Sequence, residues 1–89
     1  MSGSQRVAIL TGGSGGLVPG IADQLANAGF TIVLTARGET ALEAAAARLR
    51  ESVDTPVVAI ASDARDATAT KALAETVVDR FGRIDVLVN

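Results

Sequence analysis

The chain has 89 residues, a formal charge of −2 and no cysteine or histidine, so it is one small domain or a piece of a larger one, with no zinc-type metal site expected. Its charges form no long run and its apolar runs are short, which argues against a nucleic-acid surface, a signal peptide or a membrane span and leaves a soluble cytoplasmic protein as the expectation. Tyrosine and tryptophan are absent, and Phe30 and Phe81 are the only aromatic residues, so chemistry that needs a phenol, an imidazole or a thiol cannot come from these residues.

Val7 to Thr11 is a short, almost wholly apolar run, the pattern of a strand buried on both faces of a parallel sheet. It ends at Thr-Gly-Gly-Ser-Gly-Gly, with glycines at 12, 13, 15 and 16. From Leu17 the apolar positions Ile21, Leu25 and Ala28 recur at helical spacing, Pro19 is tolerable in the first turn, and Gly29 marks the stop. Phe30 to Thr35 reads as a second strand. Gly38 and Glu39 open a second helix, in which Leu42, Ala45, Ala46, Leu49 and Val53 form one stripe. Asp54-Thr55-Pro56 is a turn, and Val57 to Ala61 is a third strand. Asp66 caps a third helix with Leu73, Val77 and Phe81 on one face and Thr70 as a weak extension of it. Gly82 ends that helix, and Ile84 to Val88 starts a fourth strand.

Strand-helix units repeated at this spacing mean an α/β fold with a parallel sheet. If the first three strands step in one direction and the chain then returns beside strand 1, right-handed crossovers give the order 3-2-1-4. Two helices then lie on one face and the third on the other. The resulting switch point, at the carboxyl ends of strands 1 and 4, is where such sheets bind ligands. The glycine turn falls there. Glycine admits φ > 0 and lets phosphate oxygens approach without a Cβ in the way, and the first-turn N–H groups of the following helix point at the anion. Alone, such a stretch is equally compatible with a flexible loop.

Taken together, these residues resemble the amino-terminal half of a short-chain dehydrogenase/reductase, a Rossmann-like family. The family turn is Thr-Gly-x-x-x-Gly-x-Gly, matched by Thr11, Gly12 and Gly16. Asp63 matches the acid just after the third strand. Phe81-Gly82-Arg83-Ile84-Asp85-Val86-Leu87-Val88-Asn89 matches a third signature, which in the family continues to Asn-Ala-Gly. The resemblance covers essentially the whole chain and implies one partial NAD(P)-binding domain over residues 1–89. Val18 departs from it, standing where the family has the third glycine that lets helix and strand lie close. It is either a tolerated variant or a source of weakened or lost cofactor binding.

The resemblance implies that Gly12, Gly13, Ser14, Gly15, Gly16 and Leu17 form the diphosphate and ribose wall. Sites that prefer NAD place an acid about twenty residues after the glycines, at the end of strand 2. Here that place reads Thr35-Ala36-Arg37: Ala36 removes the acid and Arg37 offers a guanidinium fork to a 2′-phosphate, so NADP is favoured over NAD. A solvated strand-end charge is the other reading of Arg37. By resemblance, Asp63 accepts a hydrogen bond from the adenine amino group with the Ala64 backbone beside it, and Asn89 lies next to the adenine ribose. Asp63 read without the resemblance is a loop or capping aspartate, and Asp85 reads as structural.

The family's catalytic Tyr-x-x-x-Lys pair and its upstream serine have no counterpart here, and Lys71, the only lysine, has no tyrosine to act with. No catalytic residue is therefore assigned. The sequence reads as the NADP(H)-binding amino-terminal portion of an oxidoreductase, and hydride transfer by this chain alone is not expected. The alternative is a non-enzymatic dinucleotide-binding or assembly module, half of a split protein. Strand 4 would be an edge, which points to self-association or to pairing with a carboxyl-terminal half.

Overall fold

The structure is a computed structural model that describes the backbone of residues 6–12 and 18–88 and the side chains of 6–12 and 20–88. Its elements run β1 (Val7–Thr11), α1 (Val18–Asn27), β2 (Thr31–Ala36), α2 (Glu39–Ser52), β3 (Val57–Ala61), α3 (Ala67–Phe81) and β4 (Val86–Val88). All pairings are parallel, and the sheet order is β3-β2-β1-β4. The chain thus steps outward through β2 and β3 and returns on the other side of β1.

Alternation along the strands divides the core in two. Ala8, Leu10, Ile32, Leu34 and Val57 meet Ala22 and Ala26 of α1 and Leu42, Ala45, Ala46 and Leu49 of α2. Val7, Ile9 and Val33 point the other way, onto Leu73 and Val77 of α3. Two helices cover one face and one covers the other, as the crossover argument requires. The smaller cluster leaves its side of the sheet less covered, and Leu87 of β4 stays 57% exposed.

The face that α1 presents is not the one that periodicity selects. Ile21 is exposed, Leu25 only half-buried and Ala28 outside the helix, whereas Ala22 and Ala26 are buried. A helix lying close to a sheet places its smallest side chains at the contact, and the bulky Ile21 is displaced to the flank.

Three boundaries also move. Val53 leaves α2 in an extended conformation, its N–H donating to the Leu49 carbonyl, yet it still packs on the core. Phe30 precedes β2 and is buried under the Arg6 guanidinium, 4.5 Å from the ring centroid. Strand β4 begins at Val86 rather than Ile84, because the Asp85 carboxylate takes the Val7 N–H at 2.8 Å. The Asp85 N–H in turn donates to the Val7 carbonyl at 2.9 Å.

The helix ends follow their residues. Asp66 accepts from the N–H groups of Thr68 and Ala69 at the start of α3. Gly82 stops α3 at φ 83°, a left-handed conformation that side chains with a Cβ disfavour. Glu39 lies in the first turn of α2, where its charge suits the helix dipole.

Candidate functional site

The carboxyl ends of the strands enclose a cavity of about 430 Å3 on the side of the sheet that carries α3. Strand β1 supplies Thr11 and Gly12, β2 supplies Thr35, Ala36 and Arg37, and the loop after β3 supplies Ser62 to Arg65, with Thr70, Leu73 and Leu87 completing the wall. Parallel pairing produces this convergence. Thr11 lies beside Thr35 and Thr35 beside Ile60 in the register, so three loops leave the sheet at one level.

Gly12 turns the chain out of β1 with φ 70°. A residue with a Cβ would be strained there, although the space beside it is open. The Thr11 hydroxyl donates to the Val88 carbonyl at 3.1 Å and ties the end of β1 to that of β4.

Arg37 is exposed at the cavity rim and forms no ion pair among the described residues. Ala36 before it carries no charge. The strand end is therefore cationic and open.

Asp63 is organised by its own loop. Its Oδ1 accepts from the Arg65 N–H at 2.9 Å and from Arg65 Nε at 3.3 Å, and its carbonyl accepts from the Asp66 N–H. The backbone hydrogen bond from Arg65 holds the carboxyl below its usual range, helped by the Arg65 side chain and by the more distant Arg37 charge. It is an acceptor at neutral pH, and Arg65 occupies only part of its lone-pair capacity. The pair is solvent-exposed, so it holds the loop only weakly.

Asp85 lies at the opposite end of the sheet. The Arg83 guanidinium at 2.7 Å and the Val7 N–H hold its carboxyl below the usual range, and the same pairing raises Arg83. Its work is to register β4 on β1.

Of the expected binding residues, Gly12, Arg37, Asp63 and Ala64 meet around one cavity. Gly13, Ser14, Gly15, Gly16, Leu17 and Asn89 lie outside the described residues, as do the side chains of Val18 and Pro19. Thr35, Ser62, Arg65, Thr70, Leu73 and Leu87 also line the cavity, and the sequence did not single them out for binding. A hydroxyl residue one position before the end of β2 was the available signal for Thr35.

The short chain dehydrogenase profile matches residues 6–89. The chain is 37% identical over 84 residues to an uncharacterised oxidoreductase of Staphylococcus saprophyticus, covering 94% of this chain and 36% of that protein. It is 39% identical to a diacetyl reductase of Staphylococcus epidermidis, covering 94% and 32%. Among solved structures, an L-sorbose reductase of Gluconobacter frateurii complexed with NADPH and L-sorbose superposes with TM-score 0.86 at 37% identity, over 100% of this chain and 35% of that one. An NAD+-bound xylitol dehydrogenase gives 0.85 at 32% identity, over 92% and 31%. The chain thus spans about a third of the length of these relatives. Sheet order, the glycine exit from β1, the acid after β3 and a profile match across the described strands all agree: this chain belongs to the short-chain dehydrogenase family.

Proposed function

We propose that the chain is the NADP(H)-binding portion of an oxidoreductase and that its cavity takes the adenosine end of the dinucleotide. The observation that carries this reading is the Arg37 guanidinium at the cavity rim, which forms no ion pair among the described residues and directly follows the uncharged Ala36. A guanidinium fork matches a 2′-phosphate, and no acid stands at position 36 to repel it.

The bound dinucleotide would supply the hydride. The residues of this chain bind and orient it. Arg37 would hold the 2′-phosphate, the Asp63 carboxylate would accept from the adenine amino group, and the Ala64 backbone would face the ring edge. Gly12 gives the turn that lets the chain leave β1 beside the diphosphate; Gly13, Ser14, Gly15, Gly16 and Leu17 would complete that wall, and Asn89 would adjoin the ribose. Because the chain contains no tyrosine, a family-type proton transfer through a phenol has to come from outside these residues.

The observed edge position of β4 and the 57% exposure of Leu87 favour a further strand, from a second copy or from a carboxyl-terminal half, packing there. Calorimetric titration of the purified chain with NADPH and with NADH tests the cofactor reading. Tighter binding of NADPH supports it, and equal affinity, or none for either, contradicts it.

A further inference from the structure

Strand β3 is an outer strand of the sheet, on the side away from β4. The Pro56 carbonyl accepts from the Ile32 N–H at 3.0 Å, and the Ser62 N–H donates to the Ala36 carbonyl at 3.0 Å. Backbone groups of a strand face its two sides in turn, so Pro56, Val58, Ile60 and Ser62 face β2 while Val57, Ala59 and Ala61 face outward. The strand Val57-Val58-Ala59-Ile60-Ala61 contains no charge, and its middle three residues are only half-buried. An uncharged apolar strand with outward N–H and C=O groups is a template for pairing with another strand.

One charged side chain lies on this edge. Arg50, in the last turn of α2, is exposed, and its Nε donates to the Val57 carbonyl at 3.0 Å. That carbonyl is the first outward acceptor of β3, so the guanidinium sits where an incoming strand would have to start its ladder. Docking a strand there requires breaking the Arg50 bond and burying or displacing a charge, which is costly beside apolar side chains.

We propose that the outer edge of β3 is a self-pairing surface, fitted to the same strand of a second copy of this chain, and that Arg50 guards it. A two-fold axis beside Ala59 lays the two strands antiparallel, with Val57 of each copy opposite Ala61 of the other and outward groups meeting outward groups. The strand thus supplies both halves of the contact. This edge is separate from that of β4, and the inference does not depend on dinucleotide binding.

The test compares Arg50→Met and Arg50→Lys with the unsubstituted chain, by thermal melting at low concentration and by light scattering across a dilution series. Methionine keeps an apolar stem and removes the charge and the donor; lysine keeps the charge. At the highest concentration Arg50→Met is expected to show an apparent mass about twofold above that of the unsubstituted chain, because one more pairing doubles the unit, with Arg50→Lys unchanged. Adding Ala61→Lys to Arg50→Met puts a charge back on the same edge, on a residue that is already exposed, and should restore the original mass. If Arg50→Met does not fold, Arg50→Gln, which keeps a donor for the Val57 carbonyl and drops the charge, takes its place with the same expectation. An unchanged mass would overturn the proposal, and so would added association that Ala61→Lys leaves in place. A lowered melting temperature without added association would also overturn it, since Arg50 would then only close the turn between α2 and β3.

Discussion

Arg37, Asp63 and Asp85 are all charged and all near the surface, yet their surroundings give them different work. Arg37 has no ion-pair partner among the described residues and faces the cavity; replacing it with alanine should weaken NADPH binding by roughly 1.5–3 kcal/mol and leave NADH nearly unaffected, as titration of both would show. Asp85 instead holds the Val7 N–H and Arg83. Its carboxyl titrates below the 3.8 usual for aspartate, so its contribution to stability is complete above that value and is lost as pH falls through the depressed one. Urea unfolding between pH 5 and about pH 2 should therefore show an acid loss that Asp85→Asn lacks; identical pH profiles would contradict it. The capping role of Asp66 and the structural role of Asp85 were legible in the sequence, because each acts within a few residues or at a strand entry. Thr35 and Ser62 were not, because their enclosure depends on which strands become neighbours.

At the scale of elements, period and punctuation were enough to locate the three helices and four strands of the described residues. The stripe of Leu42, Ala45, Ala46 and Leu49 was readable because it is both apolar and helical in spacing. The face of α1 was not. Ile21 and Ala22 differ by one helical step, hydropathy prefers isoleucine, and the sheet selects the smaller side chain. Gly82 shows the opposite case, in which one residue type announces its conformation. At φ 83°, Gly82→Ala should destabilise the chain by about 1–2 kcal/mol, measured by urea unfolding. An unchanged midpoint would mean that α3 can end without the left-handed turn.

At the scale of the whole molecule, the order β3-β2-β1-β4 places β1 inside the sheet and β4 at its edge. Exposed Leu87 and Val78 (57% and 45% exposed) add apolar surface to the molecule, and edge backbone groups beside apolar side chains invite pairing. Light scattering across a dilution series should show the apparent mass rising with concentration; a folded, strictly monomeric chain throughout would contradict that expectation. The parallel sheet was legible from the alternation of strands and helices, and the order followed once the chain was taken to return beside β1. What alternation could not supply was the cavity wall, which is assembled from loops that only the parallel register brings level.

Whether the carboxyl ends of these strands bind a nicotinamide dinucleotide, as proposed, is read out residue by residue in an NMR map of backbone amides during NADPH titration. Shifts are expected to concentrate at Gly12, Arg37, Ser62, Asp63 and Ala64, with Thr55 and Asp85 at the far end of the sheet unmoved. Shifts centred on Thr55 and Asp85, or no shifts at saturating NADPH, would contradict it.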